Sequence, residues 1–274
     1  MNITRNVLGG LSLWLSLAGL GAQTLKFELV DQYKIVVRGS IGPLQGLKLL
    51  IDTGAMPSMV DRRVAKKLAL NVEEAEYVAF GTKARVQTTV LPNIRLGARH
   101  VDAVPAGVAD LSYLHGVDVI VGLDVLSRVS FSIDYVERRL EFGPVLARKP
   151  GLRLEATPPF ITVQLSISGK PFRFLVDTGS SRLILFENRV RNRLPFLAVH
   201  GELVLYHLAG SSRLQRVFLP PLEADGSTIQ HVEGFMSDQS LDGYPPGIDG
   251  VLGLRALASK HIDLDFERGR LAFD

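Results

Sequence analysis

The chain is written twice. Residues 49–60, LLIDTGAMPSMV, drive an apolar run into Asp52-Thr53-Gly54, and residues 172–185, FRFLVDTGSSRLIL, repeat the pattern at Asp177-Thr178-Gly179. Asp52 falls on Asp177 at an offset of 125 residues. Further on, GVDVIVGLDVLSRVSFSIDYVERRLEF, ending at Phe142, aligns without a gap on GIDGVLGLRALASKHIDLDFERGRLAF, ending at Phe273, at an offset of 131. Gly122 meets Gly253, Leu126 meets Leu257, Asp134 meets Asp265 and Leu140 meets Leu271. One Asp-Thr-Gly would be an ordinary strand end, because Asp and Gly commonly close strands and open turns. Two, at equivalent places in an internal repeat, describe one structural unit made twice.

The segment before each aspartate recurs as well. KIVVRGSIGPLQGLKLLIDTG and FITVQLSISGKPFRFLVDTG each read as a hairpin, with turns near Gly42-Pro43 and Gly169-Lys170-Pro171. Between the copies, residues 142–151 carry two prolines and two glycines and form the natural linker, which divides the chain into lobes at about 25–145 and 151–274. After the first Asp-Thr-Gly, the spacing of Met59, Val60, Val64 and Leu68 predicts a short helix. VIVG at 119–122 reads as a buried strand, LDVLSR as a helical turn, and FSIDY with RRLEF as a closing hairpin. The expected class is all-β with short helices. At 274 residues and 46% apolar content, two lobes of ordinary size each have enough material for a core.

Several function classes drop out. The absence of cysteine excludes disulfides, zinc-thiolate sites, thiol nucleophiles and a lipid-modified cysteine. The six histidines, at 100, 115, 200, 207, 231 and 261, show no paired ligand spacing. Asp263 and Asp265 stand two apart, as in some metal sites, but the first copy keeps only Asp134, so a hairpin explains them. No serine sits in a G-x-S-x-G elbow. Neither metal nor cofactor is expected. The net charge is +3, and the basic clusters DRRVAKKL and NRVRNRL read as solvated helix faces, so no nucleic-acid partner is expected. Residues 1–22 combine Arg5, an apolar run from Val7 to about Leu20, and the small residues Gly19, Gly21 and Ala22. That is the pattern of a signal peptide, to be removed near Gly21 to Gln23, and export without disulfides suits a bacterial periplasm. The expectation is a periplasmic or secreted protein with no stable membrane insertion after removal, or an anchored one if the leader stays.

The repeat permits a specific chemistry. If the halves pack about a pseudo-twofold axis, the two Asp-Thr-Gly loops meet there, with glycine allowing close approach and threonine offering a hydroxyl for bracing. Two carboxylates about 3 Å apart cannot both ionise cheaply, so they share a proton and their apparent pKa values separate. One is then a base and the other an acid, and water between them can attack a peptide carbonyl.

On these residues the sequence resembles the aspartic peptidases, particularly the retroviral-protease-like (retropepsin-like) proteins of bacteria, with two copies fused as in the two-lobed pepsins. The matching stretches are Leu50-Ile51-Asp52-Thr53-Gly54-Ala55 and Leu175-Val176-Asp177-Thr178-Gly179-Ser180, with the later family motif at Ile120-Val121-Gly122 and Val251-Leu252-Gly253. The resemblance implies a two-lobed pseudo-twofold β-barrel fold and an endopeptidase acting on a peptide or protein substrate. Asp52 and Asp177 would be the catalytic dyad, Thr53 and Thr178 would interlock beneath it, and Gly54 and Gly179 would hold the loops. The glycine motifs would pack behind. Family flaps are hairpins, for which residues 77–89 and 203–219 are the candidates. Retroviral-type proteases with one copy dimerise, whereas this chain carries both halves and is expected to be a monomer. The alternative is a catalytically silent relative of the cell envelope that binds extended peptides by strand addition. One difference lies inside the motif: Ala55 follows the first Asp-Thr-Gly and Ser180 the second. A hydroxyl from Ser180 to Asp177 would favour its ionised form, leaving most of the shared proton on Asp52.

Overall fold

The apolar run before each Asp-Thr-Gly becomes the middle of a sheet in the computed structural model. The description covers residues 23–79, 82–145, 151–207, 210–230, 232–238 and 244–274, without the side chains of 77–84 and 206–210. Residues 1–22, where the signal pattern lies, and 146–150 of the linker lie outside these residues. Strand Lys34–Ile41 pairs antiparallel with Leu44–Ile51, and Phe160–Ile167 with Lys170–Asp177. On its other side each aspartate-bearing strand takes a parallel neighbour. Leu49, Leu50 and Ile51 face Val119, Ile120 and Val121, while Leu175, Val176 and Asp177 face Val251, Leu252 and Gly253. A strand flanked on both edges and covered on both faces needs apolar side chains pointing both ways. That is why LLI and FLV are continuous runs rather than alternations.

The next strand in each lobe, Ser58–Asp61 or Leu183–Phe186, runs antiparallel to that parallel neighbour. Here the predicted helix needs correction. Met59 and Val60 lie in the strand, and the helix spans Arg62–Lys67. Residues 58–61 are held between Val119–Val121 and the parallel strand Arg99–Ala109, so sheet pairing claims them. Helix starts only where Asp61 caps it, its carboxylate accepting from Arg63 N–H at 2.8 Å. Val64 and Ala65 form the buried face. The helical turn expected after Gly122 is present as Leu123–Leu126, and the second lobe adds Glu187–Val190.

The repeat's final hairpins join the lobes. Phe131–Asp134 with Arg139–Phe142, and His261–Asp265 with Arg270–Phe273, each pair antiparallel. The two hairpins then pair with each other: Phe131 faces Leu264, Ser132 faces Asp263 and Ile133 faces Ile262. At the offset of 131, Asp263 is the counterpart of Ser132, so equivalent residues face each other and the pseudo-twofold axis passes through that pair. Gln23–Val30 and Leu152–Arg153 extend this shared sheet at either edge to six strands. Phe131, Ile133, Leu140, Ile262, Leu264 and Leu271 are fully buried beneath it, in one core with residues of both lobes.

Both flap candidates are hairpins. Glu73–Ala79 pairs with Thr82–Leu96, and Val199–His207 with Gly210–Phe218. Among the described residues the fold is two-lobed and all-β with short helices, and no helix is long and apolar enough to cross a membrane.

Candidate active site

The ladder between the Asp52 strand and Val119–Val121 runs one step past the strand, with Asp52 N–H donating to Val121 O at 3.0 Å. The chain then turns sharply. Gly54 N–H donates back to Asp52 Oδ1 at 2.9 Å, and Gly179 N–H to Asp177 Oδ1 at 2.7 Å. Each glycine also abuts the opposite lobe. A Cβ on Gly54 would stand 2.6 Å from Asp177 Cγ, and one on Gly179 would stand 2.6 Å from Asp52 Cγ. Close approach, rather than an unusual backbone angle, makes glycine necessary here.

The threonines fix the two loops together. Thr53 N–H donates to Thr178 Oγ1 at 2.9 Å, and Thr178 N–H to Thr53 Oγ1 at 3.1 Å. Thr53 Oγ1 in turn donates to Val176 O at 2.9 Å, and Thr178 Oγ1 to Ile51 O at 2.8 Å. All four bonds cross the axis, and both side chains are fully buried. Behind the loops, Leu123 N–H donates to Ala55 O at 2.8 Å and Gly253 N–H to Arg182 O at 2.8 Å. A Cβ on Gly122 would lie 2.6 Å from Ala55 O, and one on Gly253 would lie 2.6 Å from Ser180 O.

Burial pushes both carboxyl groups above the ordinary value of 3.8. For Asp177 burial is reinforced by the charge of Asp52 and by their mutual hydrogen bond. On Asp52 that same bond and the N–H groups of Gly54 and Ala55 work against burial. The dyad therefore holds a shared proton. The Ser180 hydroxyl, expected on Asp177, is placed by its own turn instead. It folds back over that turn and accepts from Arg182 N–H at 3.2 Å. What reaches Asp177 is the Ser180 backbone N–H, matched on Asp52 by that of Ala55. The serine and alanine thus support the dyad alike, through the main chain.

Around the dyad is an open cavity of about 440 Å³, walled by apolar side chains including Leu50, Met59, Ile120, Phe160 and Ile184. Val204 and Leu205 of the second hairpin contribute to its wall. Two tyrosines that sequence reasoning passed over face the same space, Tyr113 and Tyr244. They are counterparts at the offset of 131, three residues before Gly116 and Gly247, so extending the alignment by one turn would have found them. Burial, with the negative charges of Asp52 and Asp110, pushes the Tyr113 phenol up to about 12. Burial and Asp177 raise Tyr244, whose ring packs 4.7 Å from Phe186 and 5.9 Å from Phe160. Both phenols stay protonated at neutral pH. Also unforeseen is a brace present in the first lobe alone: Asp124 Oδ1 accepts from Ser58 Oγ at 2.8 Å, and Ser58 Oγ accepts from Gly122 N–H at 2.9 Å. Leu183 and Arg255 stand at the matching places in the second lobe.

The remaining candidates serve structure. Asp265 accepts from Arg268 N–H at 2.9 Å, as Asp134 does from Glu137 N–H at 2.8 Å, each closing its hairpin. Asp263 pairs with His261 at 3.1 Å. No group of three metal-ligating side chains occurs among the described residues.

Comparison with known families agrees with this geometry. The family model of gag-polyprotein aspartyl proteases matches residues 38–128, and a second aspartyl protease model matches residues 163–256. No match among curated proteins accompanies them. The two matched segments each contain one Asp-Thr-Gly and its later glycine motif, and together they span more than half of the chain. The chain therefore belongs to the retropepsin-like aspartyl proteases, with two copies of the unit fused in one polypeptide.

Proposed function

We infer that the chain is an active aspartic endopeptidase that hydrolyses peptide bonds with water held between Asp52 and Asp177. The observation that carries this reading is the reciprocal contact of the two loops, each carboxylate lying against the other lobe's glycine above a fully buried threonine lock. In this reading one carboxylate of the pair is ionised; with that role on Asp52, it takes a proton from the water as the water oxygen bonds to the carbonyl carbon. Asp177 donates its proton to the developing oxyanion. Collapse of the tetrahedral intermediate breaks the C–N bond, and the proton gained by Asp52 passes to the departing amine, while the oxyanion's proton returns to Asp177. Neither metal nor covalent intermediate enters this scheme. The leader pattern at 1–22 supports export to the periplasm or outside the cell, and the two fused copies support a monomer acting on a peptide or protein substrate.

Asp52→Asn and Asp177→Asn test the reading. Because the pair acts as one unit, each change should lower kcat/KM on a peptide library by at least about a thousandfold, with little further loss in the double variant. Near-full activity in either single variant would overturn the shared dyad. A wild-type protein that binds peptides and cleaves none would make the cleft a binding site only.

A further inference from the structure

We propose that Arg182 forms a subsite for an acidic side chain of the bound peptide, on the second lobe's wall of the cleft. The proposal rests on the peptidase reading and adds to it a substrate class and a direction of binding. Arg182 lies five residues after Asp177 and lines the dyad cavity. Its guanidinium lies over the ring of Phe235, 5.4 Å from the centroid. Phe235 is buried in the strand Glu233–Ser237, which pairs in parallel with Leu183–Phe186. A guanidinium held over a buried ring is oriented while its N–H edge stays available to a carboxylate.

Among the described residues it has no carboxylate partner, which sets it apart. Arg216 shares the Phe235 ring at 6.0 Å but pairs with Glu233 at 3.2 Å. Lys34, the other lysine or arginine on the cavity wall among the described residues, is bonded to Asp31. No carboxylate in the described residues pairs with Arg182. The counterpart of Arg182 in the first lobe is Pro57, also on the cavity wall, so this charge breaks the twofold symmetry of the cleft. A symmetric cleft would accept an extended peptide in either direction. A cation on one wall, with no carboxylate partner among the described residues, selects the direction that brings an acidic residue to it and disfavours a basic one. The arginine's main chain is used elsewhere, its N–H donating to Ser180 Oγ and its carbonyl accepting from Gly253 N–H. Side-chain substitutions leave both bonds in place.

The test uses quenched fluorescent peptides carrying Glu, Gln or Lys at each position flanking the cleaved bond. At one position the wild type should cleave the Glu peptide about five- to tenfold better in kcat/KM than the Gln peptide, with Lys worst. That preference should vanish in Arg182→Gln, persist in Arg182→Lys and turn toward Lys in Arg182→Glu. No Glu preference at any position, or one that survives in Arg182→Gln, overturns the proposal. If no peptide is cleaved, the hydrolytic reading fails separately, and the same peptides are titrated calorimetrically. A Glu-over-Gln difference in affinity that Arg182→Gln abolishes then supports the subsite, and equal or absent binding overturns it.

Discussion

Asp177 sits where a carboxylate is expensive to ionise, and its stability consequence follows with a definite sign. Burial and the neighbouring Asp52 raise its folded pKa well above the ordinary 3.8. Between 3.8 and that raised value, the folded chain binds more protons than the unfolded one, so stability falls as pH rises through the window. An amide of the same shape does not titrate. Asp177→Asn should therefore be more stable than the wild type at neutral pH, with the difference shrinking as the pH falls from the raised value toward 3.8 and lost below it. Thermal unfolding at neutral and acid pH reads this directly, and a variant less stable than wild type at neutral pH would show that the pair does not hold its charge under strain. At this scale the sequence was legible wherever a residue's role depends on its own loop. Asp52, Asp177 and both glycines stand where the repeat puts them. The place of the Ser180 hydroxyl was not legible, because it is set by its own turn, where Oγ accepts from Arg182 N–H.

At the scale of elements, the two Asp-Thr-Gly loops are held by side-chain hydroxyls that replace a main-chain ladder. Thr53 Oγ1 accepts from Thr178 N–H and donates to Val176 O. Thr53→Val would fill the same volume and leave both of those buried groups unpaired, at a cost of about 2–4 kcal/mol. Thr53→Ser keeps both bonds and loses one methyl, so it should cost about 1 kcal/mol. Urea unfolding of the two variants distinguishes them, and equal losses would mean that the hydroxyl's bonds do not matter. Other elements differ in how far the sequence reveals them. The aspartate strands, their parallel partners and the closing hairpins were readable because each is a short apolar run between turn residues. The helix after Ser58 was misplaced by three residues, since Met59 and Val60 satisfy a helical spacing and a strand equally. Only the pairing with Val119–Val121 and Arg99–Ala109, distant in sequence, decides for the strand. The tyrosines escaped for a different reason: nothing local marks Tyr113, and its meaning comes from Tyr244 in the other lobe.

For the whole molecule, the decisive structure is the sheet in which the two halves meet. Its central strands pair about Ser132 and Asp263, the register that two identical subunits would adopt across a twofold axis. The buried ring of Phe131 packs 6.0 Å from Phe266 of the other half, so the lobes share one core as well as one sheet. The threonine lock obeys the same symmetry. The architecture is thus a dimer of like units made permanent by a linker. A dimer built from separate chains loses its site on dilution, because the dyad exists only in the associated state. Here the second half is supplied within the same molecule, and the effective concentration of one lobe for the other is set by the linker and the common sheet. If the chain is the peptidase proposed above, specific activity should stay constant as the protein is diluted through the micromolar to nanomolar range, while light scattering reports a single chain throughout. A fall in activity per mole that tracks dissociation of a larger species would show that the working site is assembled between chains, and would return Asp52 and Asp177 to separate, incomplete halves.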